Sequence, residues 1–333
     1  MRSATKPAFL ITIDTEGDNL WARKSEVTTE NARHLPRFQE LCEAYGVKAT
    51  YFTDYEMAVD PAYVAFASEA IDRGYAEVGM HLHAWHSPPF DQALTSDDDR
   101  HHPYLIEFPD DQMRAKISAM TKILTDAFGV APTSHRAGRW AFDGRYAAIL
   151  AEQGYLADCS VTPFTTWSCF KGDPARNGGS DYRFAPTGPY FMDPADVAKP
   201  GSGPLLQIPM TVLPRFATTQ RLCPHHLLAN RWGQRAANQI LPNVWLRPSP
   251  RRPADMMLAA RRCLEEDHPY AMFMTHSSEL MPGGSPYFPN EASLEENYRR
   301  IEELFRFVAE HFEAKTVTDY ARDIIAAERA IAA

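Results

Sequence analysis

Between residues 8 and 165, short apolar, β-branched segments alternate with longer amphipathic ones, and this rhythm constrains the fold more than any other feature. The first predicted strand covers residues 8–14, where the apolar run of FLITIDT ends in acidic residues. VKATYFTDYEM (47–57), AEVGMHLHAW (76–85), TSHRAGRW (133–140) and LADCSVTP (156–163) read as four more. Helices are predicted between them at 28–46, 60–75, 110–129 and in GRYAAILAEQGY, several ending in Gly as helices do. Strand–helix alternation implies a parallel sheet covered by helices, hence an α/β protein. Polar residues recur at the predicted strand ends: Asp14 and Glu16, Thr53 and Asp54, the histidines after Met80, Arg136, and Asp158. In parallel β/α architectures those ends converge on one face, where sites form.

The rhythm breaks at about 164–255, where Gly, Pro and aromatic residues dominate, and this stretch reads as a long insertion or lid on a single domain spanning 1–333. Within it LLQIPMTVLPRF (205–216) reads as a strand. The alternation returns with ADMMLAARRCLEED, a last strand in PYAMFMTHSSEL ending at His276, and an amphipathic helix at 294–312.

The net charge of −9 argues against nucleic acid as a partner. The five cysteines, Cys42, Cys159, Cys169, Cys223 and Cys263, form no CxxC pair, so a thiolate zinc site is not expected. Their odd number in a long chain suits a reducing compartment, and a cytoplasmic setting is expected. No apolar run is long enough to span a bilayer. Nothing in the sequence fixes the oligomeric state.

Thr12, Asp14 and Glu16 point to one side of an extended strand, and two carboxylates so close repel unless a cation lies between them. MHLHAWH places three histidines within reach of the same strand end. His81 and His83 share a strand face, with Cα atoms roughly 7 Å apart, whereas a helical turn would instead pair His83 with His86. Two imidazoles and one carboxylate form a common set for zinc or another divalent cation, with positions left for water and substrate. Glu16 supplies the oxygen, and Trp85 would wall the site. Arg136 suits a fork holding Asp14 ionised. His276, at the mouth of a buried strand, suits a general acid, and Asp158 would either orient it or cap the following turn.

This set resembles the polysaccharide deacetylase superfamily, the family-four carbohydrate esterases. The aspartate pair of the family's first motif matches ITIDTEGD, its histidine pair MHLHAWH, its arginine–aromatic motif RAGRW, its fourth motif ADCS, and its apolar–x–His motif MTH at 274–276. Glu16 stands one position beyond the family's metal aspartate, and Trp85 stands where the second histidine would fall. The strand geometry favours His81 with His83, and His86 remains the alternative.

The resemblance implies a distorted (β/α)7-type barrel and a divergent branch acting on surface glycans or their precursors. It implies a metal-dependent hydrolase removing an acetyl or formyl group from a sugar amine. Asp14 would be the base, steadied by Arg136, and His276 the acid, aided by Asp158. Glu16, His81 and His83 or His86 would hold the cation, zinc first among the choices. Asp18, Trp85, Trp140 and Ser277 would contact the sugar, with Trp167, Tyr190 and Phe191 of the insertion covering its face. Two other readings compete: a glycoside hydrolase using the Asp14–Glu16 pair, and a carbohydrate-binding protein that has lost catalysis.

Overall fold

The computed structural model describes residues 6–20, 26–173, 175, 178–216, 232–233 and 242–332; Cys223 and much of the expected insertion beyond residue 216 lie outside them. The strands described are β1 Ala8–Thr15, β2 Ala49–Thr53, β3 Ala76–Leu82, β4 Ser134–Ala137, β5 Ala157–Asp158, β6 Tyr190–Asp193, β7 Asp196–Pro200, β8 Leu206–Gln207, β9 Val212–Pro214, β10 Asn243–Trp245, β11 Tyr270–His276 and β12 Glu313–Lys315. The chain forms two compact units: Met1–His81 with Met120–His135 and Leu246–Ala333, and Leu82–Ala119 with Arg136–Trp245. The second therefore includes residues well before position 164.

In the first unit the strand order is β11-β1-β2-β3, followed by the start of β4, and β1 runs parallel to β11, β2 and β12. β1 is buried along its whole length, which is why it is a nearly continuous apolar run instead of an alternating one. β11 follows one of its edges from Ala8 to Asp14. The other edge is divided: β12 pairs with Ala8–Leu10, and β2 with Ile11–Thr15. Gly79 in β3 has no side chain for a packing reason: a Cβ there would stand 2.7 Å from the Phe52 ring and 2.5 Å from Ser134 Oγ.

The helix Glu291–His311 buries Leu294, Asn297, Tyr298, Ile301, Leu304, Phe305 and Val308, a three-and-four spacing that makes one apolar face. Asn290 caps it, accepting from Ser293 N–H at 3.0 Å. Phe305 meets Phe38 of the helix Leu35–Ala44 and Phe273 of β11, with ring centroids 6.0 and 6.2 Å apart. Each such fully buried aromatic contributes about 1.5–3 kcal/mol relative to exposure, so this trio fixes the helices against β11.

In the second unit the end of β4 is followed in the sheet by β5-β8-β6-β7. β5 and β8 are parallel, and β6 is antiparallel to both β8 and β7. The segment expected as one strand at 205–216 is two, β8 and β9, and β9 pairs with β10 in a separate sheet. Pro209 lies between them and has no N–H for a ladder, which separates the two pairings. Tyr190 does not project as a cover for a ligand; it is buried, and its hydroxyl donates to Val197 O at 2.8 Å, closing the β6–β7 hairpin. Among the described residues no helix is long and apolar enough to cross a membrane.

Candidate metal and catalytic site

Register determines which polar residues meet. On the parallel strands of the first unit, Asp14 lies opposite His276, Thr15 opposite Thr53, and Thr53 opposite Met80. The next residues along these strands are Glu16, Asp54 and His81, so one row of C-terminal strand ends collects the acidic and imidazole side chains. His81 Nε2 stands 3.6 Å from Glu16 Oε2, with both side chains buried. His83, two residues further and still extended (φ −100°, ψ 124°), joins them: Glu16, His81 and His83 each offer a ligand atom within 4.8 Å of the others.

His86 follows in a short 3-10 turn that runs from Ala84 to His86, is partly exposed, and is not part of that group. Trp85 stacks obliquely beside His83 at 4.9 Å between ring centroids and stands 6.2 Å from the ring of His86. Gly138 packs on His83 from behind; a Cβ there would lie 2.6 Å from Nδ1, so this position has no room for a larger residue.

The donor set fits a divalent cation. Ligands at about 2.1 Å from a tetrahedral ion stand about 3.4 Å from one another, close to the 3.6 Å between Glu16 and His81. Three protein ligands leave a position for water or substrate, as catalytic sites do. Asp14 and Glu16 are both at most 3% exposed, and two buried carboxylates at one strand edge are what a dication neutralises.

The backbone at Glu16 is held firmly. Ser277 Oγ accepts from Glu16 N–H at 3.1 Å, and Asn31 Nδ2 donates to Glu16 O and to Ser277 Oγ, each at 2.8 Å. Ser277 is fully buried beneath this turn, so its hydroxyl positions Glu16. Asp54 accepts from Gly17 N–H at 3.0 Å and from Met57 N–H at 2.9 Å, tying the Glu16 turn to the helix it caps. Burial first, then the charges of Glu56 and Glu16, push the Asp54 carboxyl well above its usual range against the pull of those two N–H groups. Asp18 is engaged by Thr28 Oγ1 at 2.5 Å and Asn31 N–H at 3.3 Å. Sequence reasoning overlooked Asn31 and Asp54 as site residues; Asp54 alone carried a signal, an acid at a strand end.

His276 Nε2 lies 3.9 Å from Asp14 Oδ2. The residue beside its other nitrogen is Glu279, with Oε1 3.6 Å from Nδ1, and Glu279 is held by Arg247 at 2.6 Å. Burial would lower the pKa of His276, but the Glu279 bond and charge, with Glu16 behind them, outweigh it and hold the imidazole above its ordinary value. Glu279 itself resists burial because Arg247 and His276 pull it down to about 2.

The remaining expected site residues lie in the second unit. Asp158, completely buried, accepts from Ser160 N–H and Ser160 Oγ, both at 2.7 Å. Arg136 donates to Cys159 O at 3.2 Å and lies 5.2 Å from the Trp140 ring. Trp140 stacks nearly parallel to Trp167 (12°, 6.4 Å) and edge-on to Trp245 at 6.3 Å.

No protein-family model and no curated protein matches the chain. Solved structures do. A provisionally named polysaccharide deacetylase from Mycobacterium smegmatis aligns over 98% of this chain and 96% of its own, at 13% identity and a TM-score of 0.56. A 4-alpha-glucanotransferase from Thermococcus litoralis aligns over 95% of this chain but only 40% of its own, at 15% identity and a TM-score of 0.53. A family-four carbohydrate esterase pseudoenzyme from Bacillus anthracis aligns over 96% and 66% at a TM-score of 0.44, too low to bear on the argument. At these identities the likeness is one of fold, and the chain has the α/β fold of the polysaccharide deacetylase structure.

Proposed function

We propose that the chain is a metal-dependent amide hydrolase that removes an acetyl or formyl group from the amine of a sugar in a surface glycan or its precursor. The observation that carries the reading is the buried Glu16–His81–His83 group next to the Asp14–His276 pair. Imidazole and carboxylate donors suit zinc. A divalent ion held by Glu16, His81 and His83 would polarise an acyl carbonyl and make a bound water acidic near neutral pH.

The chain's own residues supply the proton chemistry. Asp14, a carboxylate two positions before Glu16 on the same strand, takes the proton of the attacking water. His276, whose pKa the Glu279 carboxylate raises above the ordinary value, gives a proton to the departing amine. Trp140, Trp167 and Trp245 offer apolar ring faces of the kind that stack on sugars.

The Mycobacterium smegmatis structure, a deacetylase by name, agrees with this reading, but a glucanotransferase shares the same fold. The fold alone therefore does not choose between acyl and glycosyl chemistry. A histidine pair beside Glu16 favours the former, because a glycosidase needs two carboxylates that straddle the bond and no metal donors. Purified protein should release acetate or formate from N-acylated amino sugars, lose that activity to a chelator, and regain it with zinc. Turnover unaffected by chelation, or a metal-free protein with glycosidase activity, would overturn the reading.

A further inference from the structure

We propose that Glu279, clamped by Arg247, is the positioning residue that fixes which nitrogen of His276 faces Asp14. The role belongs to the hydrolase reading given above, but it is argued from the hydrogen bonds and charges around His276. Both oxygens of Glu279 are committed. Oε2 accepts from Thr275 Oγ1 at 2.8 Å and from the His276 backbone N–H at 3.1 Å. Oε1 accepts from Arg247 Nη2 at 2.6 Å and faces His276 Nδ1 at 3.6 Å. A carboxylate has no hydrogen to offer, so its negative charge beside Nδ1 favours the imidazole form with hydrogen there. That leaves Nε2 aimed at Asp14 Oδ2, 3.9 Å away, to take and release the proton in catalysis.

Arg247 Nη2 also comes to 3.4 Å from Nδ1, at the outer limit of a hydrogen bond, and would favour the opposite tautomer. The same Nη2 already makes its shorter bond to Glu279, so it holds that carboxylate in place while its charge opposes a proton on His276. The charged groups that act on His276 are Asp14, Glu16, Glu279 and Arg247. The carboxylates favour its protonated form, and Arg247 opposes it. A residue that only capped the 3-10 turn Ser277–Leu280 would need the acceptor oxygens but not the charge.

The two variants Glu279→Gln and Arg247→Met separate these roles. Gln keeps an acceptor for the Thr275 and His276 contacts but puts an NH2 donor or a neutral oxygen toward Nδ1. Long-range proton–nitrogen NMR on histidine-labelled protein, with His276 assigned by its loss in His276→Gln, reads tautomer and titration without substrate. The neutral imidazole of the wild type is expected as the Nδ1–H form. In Glu279→Gln it should move toward Nε2–H, with a protonation constant about tenfold weaker, one pKa unit. In Arg247→Met the same constant should strengthen, the opposite sign, which a general loss of structure would not produce. A wild-type Nε2–H form, or an unchanged His276 in Glu279→Gln, or shifts of one sign in both variants, would overturn the proposal. A failure of the hydrolase reading appears instead as absent turnover in a wild type whose His276 behaves as described.

Discussion

Asp14 and His276 are register partners on two parallel strands, and their side chains approach to 3.9 Å between Oδ2 and Nε2. Both lie on the same strand edge as Glu16, yet neither belongs to the Glu16–His81–His83 group. Replacing Asp14 with Asn should therefore lower kcat/KM by about 10²–10⁴-fold, the usual contribution of positioned proton transfer. Metal content, measured by elemental analysis, should stay at one equivalent. Loss of the metal along with activity would make Asp14 a ligand.

The histidines separate by the same kind of measurement. His81→Ala and His83→Ala each remove one of three donors and should abolish stoichiometric metal binding. His86→Ala should retain it, because His86 lies in the following turn, partly exposed. If His86→Ala empties the site and His83→Ala does not, the ligand assignment is reversed.

Glu279 predicts an acid-sensitive term in stability. Its carboxyl sits at about 2 in the folded protein against an ordinary 4.5. A depressed carboxylate stabilises the fold above its unfolded pKa, and the contribution disappears as pH falls from about 4.5 toward 2. The shift corresponds to something on the order of 3 kcal/mol. His276 has the opposite sign: its raised pKa stabilises below the ordinary value of 6.5 and the contribution fades as pH rises through the folded value. Denaturant unfolding at a series of pH values should show wild type well above Glu279→Gln near neutrality and the two converging near pH 2. A gap that does not close in acid would remove this carboxylate from the account.

Asn31 contributes by holding backbone. Its amide donates to Glu16 O and Ser277 Oγ, and the residue is completely buried. Asn31→Ala leaves both acceptors without that donor and should destabilise the protein by about 1–3 kcal/mol. The Glu16 turn should loosen with it, so metal affinity falls by about 10–100-fold, as when groups that orient a ligand are lost. Thermal melts with and without metal separate the two effects. An unchanged metal affinity would confine Asn31 to a structural part.

How much of this was legible depends on where a residue's partners lie in the chain. β1, β2, β3 and β11 could be read directly because each is a buried apolar run ending in a polar group. The proximity of His81 and His83 followed from a two-residue period, needing only the local backbone. Glu279 escaped notice because its importance comes from Arg247, 32 positions away, and from a 3-10 turn that folds it back onto His276. Asn31 was hidden for the same reason: it looks like an ordinary polar residue near a helix start, and its partners are Glu16 and Ser277. Asp158 had two possible uses in the sequence, and its bonds to Ser160 are those of a turn. The strands β6, β7 and β10 went unseen because they are three to five residues long and set among Gly and Pro, where no period can establish itself, and β8 and β9 were read as one strand.

Lys116 gives a last prediction, at the segment that follows His81 and His83. Its Nζ donates to Ser87 O at 2.7 Å and to Pro89 O at 3.1 Å, anchoring the loop just after His86 to the helix Asp110–Phe128. Burial pushes the ammonium down to about 8, against the pull of Asp98 and Asp91. Lys116→Met keeps the apolar stem and removes both donors. Hydrogen exchange should then speed up across residues 84–90, and metal should bind more weakly by about 10-fold, since His83 leads directly into this loop. Because the folded pKa lies below the ordinary 10.5, wild-type stability should rise relative to Lys116→Met as pH goes from about 8 to 10.5. Exchange rates that match the wild type, with metal affinity unchanged, would show that the loop is held without the lysine.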